Sequence, residues 1–332
     1  MVEPFPPVVV APMAGGPSTP ALVTAAARAG ALGLLAAGYR TPEQVEAEVR
    51  TLQGTALPYG LNIFVPTPPP ADREPLERYR RLLQTEADRY GVDLPPLRMA
   101  DDDHFAAKVE LAATYRVPVV SFTFGAPDPA VVATLRAAGC TVLITVTSAA
   151  EARRALAAGP DALIAQAGTA GGHSATTDPA NYRGDRSAPE VLTEVRAVTE
   201  LPVLAAGGVA GPADVQRLLA AGAAAVQCGT AFLLAEEAGT RPAQRAAMLA
   251  GPRETVVTRA FTGQPARALR NRFTDTYSDV APVGYPAVHH LTAPIRAAAS
   301  ARGDAEALNL WAGTGHAAAR PAPVADLLAE LS

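Results

Sequence analysis

Short apolar runs alternate with alanine-rich amphipathic stretches from residue 8 to about residue 235, and this rhythm limits the folds open to the chain more than any other feature. Each run has four to six residues, is rich in β-branched or small side chains, and is bounded by glycine or proline, as is typical of buried parallel strands. Eight such alternations predict an α/β fold, a closed (β/α)8 or TIM barrel. The predicted strands are residues 8–11, 32–36, 59–64, 117–122, 141–146, 162–166, 203–206 and 225–228.

Two segments depart from this alternation. Residues 66–104 begin with the letters PTPPP and continue with leucine and tyrosine at helical spacing, which predicts an inserted linker and an amphipathic helix. After about residue 236 the strand rhythm ends, and a helical pattern interrupted by prolines follows. We therefore expect a barrel over residues 1–235, with an inserted helical segment at 66–104, and a C-terminal, mainly helical substrate or lid region over residues 236–332.

Composition excludes several classes of function. The net charge is −4 and no basic cluster is present, so a nucleic-acid partner is not expected. Lys108 is the only lysine, which excludes a Walker-A lysine and leaves no other side chain for Schiff-base chemistry. Aromatic residues make up only 5% of the chain, too few to favour a base-stacking platform.

Cysteine content, the spacing of possible metal ligands and the distribution of apolar residues predict the compartment and the metal content of the protein. The two cysteines, Cys140 and Cys228, fit a reducing compartment, and no set of histidine, cysteine and acidic residues has metal-ligand spacing. Residues 1–4 lack the basic start of a secretory leader, and glycine and polar residues interrupt the longest uncharged stretch, 218–235. We expect a cytoplasmic monomer or homodimer, with no metal and no membrane partner.

Glycine and polar residues concentrate at the predicted carboxyl ends of the strands, where TIM barrels carry their sites. Gly207 and Gly208 follow the seventh predicted strand, and Gly229 and Thr230 follow the eighth. Backbone N–H groups of these two loops commonly hold a phosphate in such barrels. Either pair alone could simply close a tight turn, but the two together favour a phosphate site.

Amide side chains at two other strand ends suggest the rest of the ligand. Asn62 and Gln166 can each donate and accept a hydrogen bond, which suits a heterocycle with adjacent N–H and C=O groups, although each could equally serve the barrel core. A ligand with both a phosphate and a polar heterocycle points to flavin mononucleotide (FMN).

His173 follows two glycines in the long loop after the sixth predicted strand. A histidine above a barrel mouth is a candidate general base or hydrogen-bond donor, although it could also be a structural residue of the loop. His289, His290 and His316 lie in the C-terminal region, where they could line a lid or only pack.

These motifs, in this order, resemble those of the nitronate monooxygenase family, formerly called 2-nitropropane dioxygenases, whose members are FMN-dependent TIM barrels. The similarity extends over nearly the whole chain. It rests on residues 11–20 (APMAGGPSTP), 61–64 (LNIF), 170–173 (AGGH), 205–209 (AAGGV), 227–232 (QCGTAF), 258–263 (TRAFTG) and 310–313 (LWAG). The last two segments look like the bacterial branch that acts on nitronates such as propionate 3-nitronate.

The resemblance implies that a noncovalent FMN is the cofactor and that His173 is the catalytic residue facing a nitronate substrate. O2 would oxidise the nitronate to a carbonyl compound and nitrite. Met13 would pack at the isoalloxazine ring. The predicted cofactor-binding residues are Met13, Ala14, Asn62, Gln166, Gly171, Gly172, Gly207, Gly208, Gln227, Cys228, Gly229 and Thr230.

The chain also departs from the family pattern. Thr169 and Ser174 replace the glutamate and arginine that often flank the AGGH motif, and Thr314-Gly315-His316 replaces glutamine-rich sequence. These changes leave the substrate open. Two other functions also stay open: an FMN-dependent NAD(P)H enoyl or quinone reductase on the same barrel, and a flavin-binding protein without catalysis.

Overall fold

The computed structural model describes residues 5–332 and contains a closed barrel of eight parallel strands, as the sequence predicts. Residues 1–4, on which the expectation of no leader rests, lie outside that range. The strands are β1 (Val8–Val10), β2 (Leu32–Ala36), β3 (Gly60–Phe64), β4 (Val119–Thr123), β5 (Thr141–Val146), β6 (Ala162–Gln166), β7 (Gly172–His173), β8 (Val203–Ala206), β9 (Ala225–Cys228), β10 (Thr255–Thr258) and β11 (Ala266–Leu269).

The barrel order is β1-β2-β3-β4-β5-β6-β8-β9, and β9 pairs with β1 to close it. Each predicted strand is present, with its ends within two residues of the prediction. Leu32 and Leu34 of β2 point into the barrel and join its inner cluster, whereas Leu35 packs in the cluster under the surrounding helices. Both faces of a barrel strand are therefore buried, which is why the strands are continuous apolar runs.

Twelve α-helices accompany the strands within residues 5–332. They are α1 (Pro20–Arg28), α2 (Pro42–Gln53), α3 (Glu74–Tyr90), α4 (Phe105–Thr114), α5 (Pro129–Ala137), α6 (Ala149–Leu156), α7 (Ala188–Arg196), α8 (Pro212–Ala220), α9 (Pro242–Leu249), α10 (Arg272–Tyr277), α11 (Ala287–Ala301) and α12 (Val324–Leu331).

Several barrel helices begin at a side-chain cap followed by proline. Thr19 accepts a hydrogen bond from the backbone N–H of Leu22, and Asp128 accepts one from that of Ala130. Thr41 forms a capping box with Gln44 at the start of α2. These local sequences pair the orphan N–H groups of a first helical turn, so the helix starts are encoded next to the strands that they follow.

The C-terminal region is mainly helical but also contains two strands that the sequence analysis did not anticipate. β10 and β11 pair with each other, and β11 pairs with β7, which precedes them by about 90 residues, to form a three-stranded antiparallel sheet. His173 therefore lies in a short strand rather than in a loop. These strands lack the apolar alternation that marks a strand in sequence, since their pairing is set by contacts between distant parts of the chain.

The final helix also differs from the expected division of the chain. The sequence places residues 236–332 in one C-terminal region, but α12 packs between α1 and α8 and its apolar residues join the barrel core. The last helix thus fills the place of an eighth barrel helix. Residues between β9 and α12 form an excursion over the mouth of the barrel.

The inserted segment packs with that excursion. One face of α3, including Leu76, Tyr79 and Leu83, joins a separate core formed with α9, α10 and α11. The Tyr79 hydroxyl donates to the carbonyl of Ala260 at 2.7 Å. Glu86 of α3 is 3% exposed and accepts hydrogen bonds from both terminal nitrogens of Arg272 on α10. The insertion is therefore anchored to the C-terminal region through a buried ion pair.

Replacing Arg272 with methionine should lower the free energy of unfolding by about 1.5–3 kcal/mol, because the buried Glu86 carboxylate loses its charged hydrogen bonds. Among the described residues it then keeps only Arg89, whose Nε is 3.9 Å away, as an ion-pair partner. The neighbouring Arg270 pairs with Glu254 and Asp275, and all three side chains are exposed, so Arg270→Met should cost no more than about 1 kcal/mol. Urea denaturation of both variants measures the difference. Equal losses would show that the Glu86 pair does not anchor α3.

Candidate active site

One cavity opens at the carboxyl ends of the barrel strands, beneath the C-terminal excursion. Its wall combines the loops after the barrel strands with β7, α11 and the segment around Trp311. Every residue that the sequence analysis assigned to cofactor or substrate lines this cavity. These residues are Met13, Ala14, Asn62, Gln166, Gly171, Gly172, His173, Gly207, Gly208, Gln227, Cys228, Gly229 and Thr230.

Asn62 is held at the floor of the cavity by its neighbours on β4. Its Oδ1 accepts hydrogen bonds from the Ser121 and Thr123 hydroxyls at 2.8 and 3.0 Å. Its Nδ2 makes no hydrogen bond to the described residues. These contacts fix the orientation of the amide, so Asn62 presents a donor to a ligand.

The Gln166 side chain also has a structural role that was not predicted from the sequence, because it binds the backbone near His173. Its Nε2 donates to the carbonyl of His173 at 2.9 Å, and its Oε1 accepts from the backbone N–H of Ala175 at 2.7 Å. The side chain therefore ties the end of β6 to β7. One hydrogen of Nε2 and one lone pair of Oε1 are left for a ligand.

His173 sits among aromatic rings at the centre of the cavity wall. Its Nε2 lies 2.9 Å from the Thr262 hydroxyl, and its ring lies edge-on to Phe124 and 5.3 Å from the Trp311 ring. Burial, and to a smaller extent the positive charge of Arg296, lower the pKa of His173 to about 3. The imidazole is therefore neutral at physiological pH.

The loop after β8, which contains Gly207 and Gly208, forms another part of the cavity wall. Gly207 and Gly208 have φ angles of 117° and 73°, in the region that favours glycine. A Cβ at Gly208 would lie 2.9 Å from the Thr169 hydroxyl oxygen. The loop after β6 therefore presses against these glycines from behind, which explains their small size independently of any ligand, while their backbone borders the cavity.

The next strand end contributes an amide and a thiol. The side chain of Gln227 makes no hydrogen bond to the described residues, and its Oε1 is buried without a partner. A buried acceptor of this kind costs free energy unless a ligand donates to it. Burial raises the pKa of the Cys228 thiol to about 12, so this cysteine is protonated and not a nucleophile.

Of the residues that depart from the family pattern, Gly315 lines the cavity, whereas Thr169, Ser174, Thr314 and His316 lie behind its wall. The carbonyl of Thr169 accepts a hydrogen bond from the backbone N–H of Thr314 at 3.1 Å, so two of these positions are in contact. Ser174 is 5% exposed and binds Pro265 through its backbone N–H. The His316 ring accepts from the backbone N–H of Arg253. These side chains shape the wall by packing.

Several cavity residues were missed by the sequence analysis because they come from parts of the chain that it did not connect with the barrel mouth. Tyr39, in the loop after β2, stacks on His289 of α11 with ring centroids 4.2 Å apart. Arg296, two turns after His289 on the same face of α11, also lines the cavity, and so does Arg241. The signal that could have found them is the spacing of His289, Thr292 and Arg296, which places them on one helix face.

The cavity has an unusual charge. Among the described residues that line it there are two arginines, Arg241 and Arg296, and no aspartate, glutamate or lysine. Neither arginine has a carboxylate within ion-pair distance in residues 5–332. Burial lowers the pKa of Arg296 to about 10, which still leaves the guanidinium charged at neutral pH. A chain of net charge −4 thus has a positively charged site.

Comparison with known proteins gives the geometry a context. The sequence model of the nitronate monooxygenase family matches residues 2–332. A nitronate monooxygenase of Paraburkholderia phytofirmans is 36% identical over 98% of this chain and 91% of its own length. A probable nitronate monooxygenase of Staphylococcus aureus is 32% identical over 92% of this chain and 88% of its own length.

Solved structures give a concordant result. The nitroalkane oxidase of Streptomyces ansochromogenes superimposes with a TM-score of 0.94 at 44% identity, covering 99% of this chain and 95% of that one. FabK from Thermotoga maritima superimposes with a TM-score of 0.75 at 26% identity, covering 98% of this chain and 91% of that one. Among the described residues, no helix combines the length and the apolar character needed to cross a membrane.

The low pKa of His173 predicts an acid-sensitive contribution to stability. Between about pH 6.5 and pH 3 the unfolded chain protonates this histidine and the folded chain does not, so the free energy of unfolding falls as the pH is lowered through that range. The His173→Asn variant should lack this component, which has a slope of up to about 1.4 kcal/mol per pH unit.

Urea denaturation at pH 7, 6, 5 and 4 measures the slope, and His104→Asn is the control because it removes an exposed imidazole. The slope should be shallower for His173→Asn than for the wild type or the control. Parallel curves for all three proteins would contradict a neutral, buried His173.

Proposed function

The chain belongs to the nitronate monooxygenase family, and we propose that it uses bound FMN and O2 to oxidise alkyl nitronates to a carbonyl compound and nitrite. The observation that carries this proposal is the cavity at the barrel mouth, beside a neutral histidine. Its lining within residues 5–332 includes two arginines and no acidic residue. A nitronate is an anion, so a cavity of this charge favours it over substrates that arrive as cations.

The residues present fit FMN. Asn62 has an unpaired Nδ2 donor and Gln227 has an unpaired, buried Oε1 acceptor, which together match a heterocycle that has both C=O and N–H groups. Gly207, Gly208 and Gly229 line the wall with backbone rather than side chains, which leaves room for a phosphate. Bound there, FMN would supply the electron transfer between nitronate and O2.

His173 would hold the substrate rather than act as a strong base. A general base works best when its pKa is near the operating pH, and the pKa of His173 is about 3 in the absence of substrate. The neutral imidazole can instead donate or accept one hydrogen bond, with its orientation set by Thr262. This favours a substrate that is already ionised when it binds.

The C-terminal excursion would keep bulk water away from the reacting atoms. The stacked rings of Tyr39 and His289 form part of the cavity wall, and Trp311 forms another part. Displacing water strengthens the interaction of an anion with the surrounding donors. Covering the site is therefore as much a part of the proposed activity as binding.

The purified protein should be yellow and, with ethyl nitronate or propionate 3-nitronate and O2, should release nitrite without any nicotinamide cofactor. Nitrite formation and O2 consumption are measured with and without NADPH. Turnover that requires NADPH and releases no nitrite would assign the chain to the reductase alternative. Bound flavin with neither reaction would favour a flavin-binding protein without catalysis.

Replacing Gln227 with methionine should weaken FMN binding by about two- to twelvefold, because one hydrogen bond to the ligand is lost. The stability of the flavin-free protein should be unchanged or higher, since a buried acceptor without a partner is removed. Gln264→Met is the matched control, because Gln264 donates to the carbonyls of Ser174 and Thr176 and does not line the cavity.

The control should show the opposite pattern, with lower stability of the flavin-free protein and little change in FMN affinity. Fluorescence titration with FMN and thermal denaturation give the two quantities. A Gln227→Met variant that loses stability but keeps its FMN affinity would place Gln227 outside the cofactor site.

A further inference from the structure

Arg296 is a cation in the cavity wall that the protein itself does not neutralise. It lies on α11, on the same face as His289 and Thr292, and no carboxylate in residues 5–332 is within ion-pair distance of it. Most other arginines named above have such a partner: Arg270 and Arg272, for example, each bind at least one glutamate. An unpaired guanidinium in the interior is costly, so its presence calls for a ligand.

The guanidinium is held in one orientation by its own helix. Its Nε donates to the Thr292 hydroxyl at 3.1 Å, and that hydroxyl donates in turn to the carbonyl of Phe261. Its Nη2 donates to the carbonyl of His289 at 2.9 Å. Its Nη1 makes no hydrogen bond to the described residues. Two N–H donors of a fixed, charged group are therefore free in the cavity.

The position of Arg296 places this charge with the substrate rather than with the predicted phosphate loops. The Nη2 of Arg296 lies 3.4 Å from the Nδ1 of His289. The His289 ring stacks on Tyr39, whose ring centroid is 6.4 Å from that of His173. Gly208 instead faces Thr169, in the loop after β6, and Thr314, in the segment after Trp311. A ligand beside His173 would thus meet Arg296, whereas a phosphate at the glycine loops would meet backbone N–H groups.

Arg241, the other cavity arginine, is placed differently. Its Nη2 donates to both the carbonyl and the side-chain oxygen of Asn309 and so supports the segment next to Trp311. The two guanidinium groups also repel each other, which contributes to the lowered pKa of Arg296. A bound anion would relieve that repulsion as well as pair with Arg296.

We infer that Arg296 is the substrate-anion receptor of this cavity: its free N–H groups bind the negatively charged oxygens of the nitronate beside His173, and its charge selects the ionised substrate over the neutral nitroalkane. This inference rests on the proposed function, because it names the residue that recognises the substrate of that reaction. Arginine suits the role since it stays charged when buried, and its Nη1 keeps two N–H groups for the oxygens of an anion while Nε and Nη2 hold the guanidinium in place.

The test uses the flavin-bound protein and two variants, Arg296→Met and Arg296→Lys. Nitrate is the binding probe, since it is a planar oxyanion that the enzyme cannot oxidise, and its Kd is measured by calorimetry. KM and kcat are measured for ethyl nitronate and for neutral nitroethane. Arg302→Met is the matched control, because Arg302 ends the same helix and binds the backbone of residues 89 and 90 outside the cavity.

Arg296→Met should raise the Kd for nitrate and the KM for ethyl nitronate by about ten- to a hundredfold, as expected for the loss of charged hydrogen bonds. The KM for nitroethane and the affinity for FMN should change less than about threefold. Arg296→Lys keeps the charge but loses the hydrogen bonds that fix the guanidinium, so its values should fall between those of the wild type and Arg296→Met. Arg302→Met should resemble the wild type.

An unchanged nitrate Kd in Arg296→Met would overturn the inference. Weakened FMN binding with unchanged nitrate binding would also overturn it and would assign the guanidinium to the flavin. If wild-type protein binds nitrate through Arg296 but does not oxidise nitronates, the proposed function fails while the anion site stands. The two failures are thereby distinguishable.

Discussion

The pairing of β7 with β11 is the constraint on which the site depends. Ala266 pairs with His173 and Arg267 with Gly172, across about 90 residues of chain. Arg267 extends this contact by donating to the carbonyls of Gly168 and Gly184 at 2.6 and 2.7 Å. The loop after β6 is thus fixed to the C-terminal region. Without this pairing, neither His173 nor the excursion over the mouth would have a defined position.

The excursion that this pairing holds over the barrel mouth also gives the cavity its positive charge. The barrel strands contribute amides, hydroxyls, glycines and apolar side chains to the wall, whereas both arginines come from the excursion between β9 and α12. The floor is therefore neutral and the cover is positive. A neutral floor suits a heterocycle that stacks and forms hydrogen bonds, and a positive cover suits an anion placed above it.

The sequence predicts those parts of the structure that local physics determines. The barrel strands can be predicted because burial on both faces makes them continuous apolar runs. The helix starts can be predicted because Thr19, Thr41 and Asp128 cap them. Because TIM barrels carry their sites at the carboxyl ends of the strands, the sequence also predicts that Asn62, Gln166 and the two glycine loops line one cavity, as they do. The roles of these residues toward a cofactor stay predictions.

What the sequence does not predict depends on distant contacts. β10 and β11 have no strand pattern of their own, and α12 returns to the barrel by packing against α1 and α8. The importance of Arg296 is equally invisible in sequence, since an arginine on an amphipathic helix is ordinarily solvated or paired. Its significance comes from the absence of any carboxylate around it in the described part of the chain.

In the proposed reaction a nitronate anion, bound in this positively charged cavity, would give its electrons directly to FMN. The direct test is anaerobic mixing of the flavin-bound protein with ethyl nitronate, followed by absorbance near 450 nm. We expect bleaching of the flavin band by the nitronate alone and no comparable bleaching by NADPH. Rapid bleaching by NADPH, with no response to the nitronate, would contradict this proposal.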